Sequence, residues 1–487
     1  MKRFLVLLMS AITLFSAISC ANNGGNVIQN TTGGETQPDV TTAPPAEPSP
    51  EPQEFYAGYA RANISPKYFP VPNDNGNATS VMDDLYATVV AVSDGENKAL
   101  FISLDTIFVM GDVLTQTLAA AKACGVPEEY VFINCTHDHS SVRYNQNTTN
   151  VTLWLSKYKT SIKTAIKEAI ADLSPATAET SRTETENLNF VRRYIMNDGN
   201  MHGIHMPTNN SGYARHETDA DPEMQVIRFN REEKKDIVMV NWQAHAAHAV
   251  GLFTDTINAD FVHYFRKGAE EKYDVLFAYY QGAAGNVVLT SYVHQSSNYI
   301  GVGKKLVDYL GTALENTEPA TLGRITAEKI AFTSNIDHST DKYLDLANKA
   351  WEEYNAYYNR TGSYMTPDMI YEKYGFYSRY NITCIKRRAG LPKTVDLPLS
   401  AISFGDIAFA SAPFEMFDTN GMFVKDNSEF ETTFMCAYTN GHFGYIASEL
   451  GYKNGGYEAY ISRFEAGMGE LVASKLVEML NAQYAAK

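Results

Sequence analysis

Two pairs of histidines stand at spacings that suit chemistry. His137 and His139 lie two apart in Thr136-His137-Asp138-His139-Ser140, so an extended backbone turns both imidazoles to one side. Such a pair can offer two nitrogens to one metal ion, or one ligand beside one acid/base. His245 and His248 are three apart and share a face where the chain turns helical. Either pair could equally be imidazoles bonded to backbone at strand ends. A third pair, His202 and His205, sits in a Gly/Asn-rich stretch and reads as solvated. A hydrolytic zinc site takes three or four nitrogen and oxygen ligands and keeps one position for water. One pair is therefore not enough, and separate segments must converge.

The elements that would bring them together are apolar runs. Strands are expected at 86–93, 98–105, 129–135, 236–243, 274–280, 405–411 and 433–439. Amphipathic helices are expected at 112–123, 153–173, 259–272, 302–315, 339–358 and 465–484. The alternation predicts an α/β fold, with one or more mixed sheets covered by helices in a single large domain. Polar residues follow the strands: His137 after 129–135, His245 after 236–243, Glu415 after 405–411, and Tyr445 after 433–439. Sites in such folds gather beyond the carboxyl ends of strands.

The chain has 487 residues, with 40 Lys and Arg against 56 Asp and Glu, a net charge of −16. That balance argues against a nucleic-acid partner. The start, Lys2-Arg3 followed by the apolar run Phe4–Phe15 and Ala17-Ile18-Ser19-Cys20, resembles a bacterial lipoprotein signal. The resemblance implies cleavage after residue 19, lipidation of Cys20, and a membrane-anchored, extracytoplasmic protein. An ordinary secretory signal with a coincidental cysteine is the alternative. Residues 20–54, as in TTAPPAEPSPEPQE, lack apolar periodicity and read as a disordered tether. Residues 55–487 form the expected domain, with 38 basic and 51 acidic residues. Cys124, Cys135, Cys384 and Cys436 match no zinc-finger spacing and are expected as buried free thiols.

Seven motifs in order resemble the neutral/alkaline (non-lysosomal) ceramidase family. They are AGYARANISP (57–66, with Asn63 where the family has Asp), DDLYATVVAV (83–92), THDHSS (136–141), NWQAHAAHAV (241–250), INADFVHY (257–264), APFE (412–415) and TNGHFGYI (439–446). Residue by residue, the resemblance implies a Zn2+ site of His137, His245, Glu415 and Tyr445, with a slip to His248 possible. It implies His139 as acid/base or as a group that polarises the carbonyl, and Arg192 or Arg193 as a binder of a polar substrate group. Asp105 and Asp260 are candidates to orient ligating histidines, with strand-end or helix-start capping as the equal alternative. The implied reaction is hydrolysis of an amide, ceramide or another N-acyl lipid, by metal-activated water. An esterase or amidase with a non-sphingolipid substrate is an alternative reading. So is a surface-tethered, non-catalytic binding protein. The resemblance extends over 55–487 to the family's catalytic domain alone, and its smaller C-terminal immunoglobulin-like domain is not expected in this sequence.

Two departures bear on substrate. Val288 stands where the family has its active-site Ser, and Ser141-Val142 replaces Gly-Pro. A further feature is the run of aromatic residues from Tyr343 to Tyr380, in which Trp351, Tyr354 and Tyr358 share a helical face. It is either an amphipathic helix packed on the core or a flap that grips an amphipathic ligand.

Overall fold

The strands that carry the histidines are buried along their whole length, and this sets the architecture. In the computed structural model, which describes residues 54–203, 212–289 and 299–487, they lie in the larger of two sheets packed face to face. The signal, Cys20, all of the proposed tether but its last residue, and His205 lie outside the described residues.

The larger sheet contains β1 (Tyr56–Asn63), β2 (Tyr86–Ser93), β3 (Lys98–Leu104), β4 (Val131–Cys135), β5 (Ser174–Glu184), β6 (Glu223–Arg231), β7 (Ile237–Trp242), β8 (Leu276–Gln281) and β9 (Glu318–Ala320). Its order is β8-β7-β6-β5-β1-β2-β3-β4, with β9 beside β5. Only β3–β4 and β7–β8 pair in parallel. The second sheet runs β10 (Ile325–Asn335), β11 (Thr394–Phe404), β12 (Ile407–Ser411), β13 (Thr432–Cys436), with β12–β13 parallel.

The facing surfaces of the sheets interlock through aromatic rings. Phe409 of β12 lies 4.1 Å from Phe101 of β3 and 5.6 Å from Phe132 of β4, centroid to centroid. Helices α1 (Gly111–Ala123), α2 (Thr149–Ala171), α3 (Asp260–Tyr273) and α4 (Tyr299–Glu315) cover the outer side of the larger sheet. Helices α8 (Asp418–Asn427) and α9 (Met468–Ala485) cover the second. The result is a helix–sheet–sheet–helix stack. Each sheet is covered by helices on one face and by the other sheet on its second face, because strands such as YATVVAVS are apolar on both sides. Helix α2 buries Val151, Trp154, Tyr158, Ile162, Ala165 and Ala169, a stripe at three- and four-residue spacing. Gly58 of β1 lets its end come close: a Cβ there would stand 2.2 Å from the Ala169 carbonyl oxygen.

Between β10 and β11 the chain inserts α5 (Leu344–Thr361), α6 (Pro367–Tyr374) and α7 (Arg379–Arg388), which share a small core of Ala347, Ala350, Tyr354, Ile370, Ile382 and Ile385. Cys135, Cys384 and Cys436 are buried free thiols, and Cys124 is half-buried. Among the described residues no helix is long and apolar enough to cross a membrane.

Candidate metal centre

Buried amides hold the carboxyl ends of three strands at one place. The Asn134 side chain donates to the carbonyl of Ala437 at 2.7 Å and accepts from the Gln281 N–H at 2.8 Å. Asn440 pairs with Ile133 twice, accepting from its N–H through Oδ1 at 2.8 Å and donating to its carbonyl at 2.9 Å. The segments after β4, β7, β8, β12 and β13 therefore meet. Glu415 and Tyr445 face each other as partners in a two-residue parallel bridge, and His245 bridges Val288. His137, Tyr438 and Asn440 all adopt positive φ, near +55°, a cost of order 1–3 kcal/mol each that surrounding structure must offset. The His137 ring lies on the Tyr438 ring at 4.2 Å.

Backbone carbonyls orient the imidazoles. His137 Nδ1 donates to Ile107 O at 2.8 Å, and His245 Nδ1 donates to Ala284 O at 2.6 Å. That assigns the tautomer, so both Nε2 atoms present lone pairs inward. Glu415 Oε2 stands 3.3 Å from His137 Nε2 and 3.4 Å from His245 Nε2. Tyr445 OH is 3.4 Å from His245 Nε2, and His139 Nε2 is 3.2 Å from His137 Nε2. Ligands about 2.0–2.1 Å from a tetrahedral ion stand about 3.3–3.4 Å apart. The separations match the edges of such a tetrahedron, and buried lone pairs aimed at one another need a cation or proton between them. The donor set, imidazole with carboxylate and phenol oxygen, fits zinc. His137, His139 and His245 alone already bring three nitrogens within 4.8 Å of one another.

The electrostatics agree. Burial, reinforced by the Arg192 charge, holds His245 well below the ordinary imidazole range, so it stays a neutral donor. Burial opposes ionisation of Glu415, but the facing His137 and His245 overcome it and hold the carboxyl well below its usual value. Burial and the Glu415 charge push Tyr445 well above the usual phenol range, with Arg192 opposing. Arg192 donates to Tyr445 OH at 2.9 Å and to Gly285 O at 3.0 Å, and is braced by Glu458 at 2.9 Å. Glu458 also takes Arg193, which binds Glu217 through two nitrogens.

No protein-family model and no curated protein matches the chain. Solved structures do, two ceramidases among them. The neutral ceramidase from Pseudomonas aeruginosa aligns over 89% of this chain and 75% of its own, at 16% identity and a TM-score of 0.64. A ceramidase complexed with C2 aligns over 89% and 76%, at 16% identity and a TM-score of 0.63. The chain has the neutral ceramidase fold. Within that fold, His137, His245, Glu415 and Tyr445 face one another as the motif resemblance implies.

His245 is the histidine of its pair that faces the cluster. His248 is half-buried and lies against Tyr299 at 5.9 Å. Asp260 and Asp105 do not touch the clustered imidazoles, so of their two expected roles the orienting one is corrected, and Asp260 takes the capping one. Asp260 accepts the N–H groups of His248 and Ala249 instead, because the carbonyls of Ile107 and Ala284 already occupy the Nδ1 atoms. Asp105 is paired with Arg266 at 2.8 Å. His202 is exposed on a short strand. Sequence reasoning missed Asp74, which accepts from His139 Nδ1 at 2.5 Å and from Arg143 at 2.8 Å. It also missed His442, stacked on Phe108 at 3.9 Å, and Glu458. No spacing rule links Asp74 to a histidine 65 positions away. His442 was within reach, since it takes the place of a Tyr in the motif at 439–446.

Proposed function

We propose that the chain is a zinc-dependent hydrolase that cleaves an amide, with His137, His245, Glu415 and Tyr445 holding the ion. The observation that carries the reading is the set of inward lone pairs at 3.3–3.4 Å around Glu415 Oε2 and His245 Nε2. A bound zinc ion would act as a Lewis acid toward a carbonyl oxygen and acidify water. The protein's own groups divide the remaining work. His139, aligned by Asp74, holds or moves a proton at Nε2 beside the cluster. Arg192 steadies the Tyr445 oxygen. Asp260 acts one step further out, fixing the turn that follows His245.

The fold match supports an N-acyl lipid or a related amide as substrate, since both neighbours are named as ceramidases. Val288 favours a second reading within that class. It pairs with Phe190 beside His245 and offers no hydroxyl where the family has Ser, so the substrate is an amide other than ceramide, an ester, or a ligand that is bound and not cleaved. On the lipoprotein-like start, the chain is exported and held to a membrane by lipid on Cys20.

The test begins with metal analysis after native purification, where about one zinc per chain is expected, and none in His137→Ala. A panel of N-acyl lipids and simple amides, with and without chelator, then reads activity. His139→Gln should keep the metal yet lose roughly 10²–10⁴-fold in kcat/KM. Metal-free protein, or hydrolysis indifferent to chelator, rules the assignment out. Zinc retained with no hydrolysis of any member of the panel selects the binding protein.

A further inference from the structure

The helical insert α5–α7 carries seven of the exposed large apolar side chains found among the described residues: Tyr343, Leu346, Tyr358, Tyr364, Tyr371, Tyr377 and Tyr380. These tyrosines are 40–56% exposed although the insert has its own small core. The rings are ordered against each other. Tyr358 stacks on Tyr364 at 4.3 Å, Tyr371 on Tyr377 at 5.5 Å, and Tyr377 on Tyr460 at 5.0 Å. Cations lie among them. The Arg379 guanidinium is 4.8 Å from the Tyr380 ring and 5.7 Å from Tyr364, and Lys386 lies 5.7 Å from Trp351. Residues 343–388 carry seven basic and five acidic side chains, in a chain whose net charge is −16. Lys373 and Arg388 are paired with Glu353 and Asp337, which leaves Arg379, Lys386 and Arg387 of α7 for an outside anion.

The patch is continuous with the candidate metal centre. Tyr380 meets Tyr457 edge-on at 5.0 Å, and Tyr457 meets Tyr445 at 5.7 Å. Exposure falls along this path, from exposed Tyr380 through half-buried Tyr457 to buried Tyr445. A purely structural role for the insert would bury the rings, and a solvated surface would not gather them.

We infer that this face of α5–α7 docks on an anionic lipid surface, with the Tyr380–Tyr457–Tyr445 path leading from that surface to the metal centre. Tyrosine and tryptophan settle where one end of a ring meets hydrocarbon and the other water. Interleaved Arg and Lys add attraction to anionic headgroups. An oligosaccharide would want free carboxylates beside the rings. Glu353 is engaged with Lys373 and Tyr374, Asp337 with Arg388, and Asp341 with His338, while Asp368 and Glu372 stand exposed on α6, so release by an oligosaccharide is kept as an outcome of the test. The site thereby faces the phase in which an amphiphilic amide is dissolved.

Co-sedimentation of the full-length Cys20→Ser chain, which lacks the lipid, tests the docking without any turnover. Vesicles of phosphatidylcholine alone are compared with vesicles containing phosphatidylglycerol, at low salt. Binding is expected to favour the anionic vesicles. Tyr364→Ala with Tyr380→Ala should abolish it, and Arg379→Gln with Arg387→Gln should weaken it about fivefold per charge removed. Leu471→Ala, exposed on α9 at 57%, should bind like the parent. No binding to either vesicle overturns the inference. So does binding unchanged in the tyrosine pair, equal binding to both vesicles, or release by an oligosaccharide. Since no hydrolysis is read, this outcome is independent of the proposed reaction.

Discussion

His442 is half-buried beside the cluster, with Phe108 against its ring and an enclosed Nδ1 that has no partner. Burial pushes its pKa down to about 4, with Arg463, Arg143 and His137 reinforcing and Glu415 opposing. The folded state therefore excludes a proton that the unfolded chain takes up near pH 6.5. Stability from this group is present above about pH 6.5 and is lost as pH falls towards 4, by up to about 3 kcal/mol. In urea unfolding with chelator present, His442→Phe keeps the stack on Phe108 and should flatten that loss. A variant as acid-sensitive as the parent sinks the idea. His442 also marks what was legible at this level. His137, His245, Glu415 and Tyr445 could be read from the residues that follow apolar strands together with the motifs, because a donor at a strand end leaves a local signature. Asp74 and the carbonyls of Ile107 and Ala284 could not, because partners that fix a ring are chosen by the folded path and leave no spacing behind.

The segments that carry the donors depend on one close approach. Gly285 lies after β8, and a Cβ there would stand 2.4 Å from the Glu415 carbonyl oxygen and 2.8 Å from that of Met416. Gly285 N–H donates to Met416 O at 2.7 Å, so the loop after β8 and the strand bearing Glu415 are clamped together. Gly285→Ala should push them apart, costing about 1–3 kcal/mol and lowering bound zinc several-fold. Gly251→Ala, where a Cβ meets nothing within 4 Å, is the control. Thermal melts and metal content read both, and equal zinc in the two variants would falsify the clamp. The strands that bear the site were readable because they are apolar on both faces. β5, SPATAETSRTE, and β10 were not: they are held by backbone pairing and alternate between half-buried and exposed, so no apolar run announces them. Of the Tyr-rich insert, the sequence indicated one helix, and the Pro367 and Gly375 boundaries divide the rest into two more.

Taken whole, the molecule has an acidic body, a lipoprotein-like start, and one face where rings and cations gather. Motif order pointed to the family fold, but not to its division into two sheets, since nothing in a strand's composition says whether a helix or another sheet will cover it. The charge arithmetic makes a prediction about attachment. With 38 basic and 51 acidic residues over 55–487, electrostatics oppose a general hold on anionic lipid, and the ring face supplies only a weak, salt-sensitive contact. On the proposed function, lipid on Cys20 would supply the durable part. Membranes from cells expressing the chain, washed in high salt where the Debye length falls to about 3 Å, should retain the parent. The same wash should release Cys20→Ser, since the ring face alone depends on screened charges. Retention of Cys20→Ser through the wash would move the anchor from the lipid to the folded body, and loss of the parent would remove the anchor altogether.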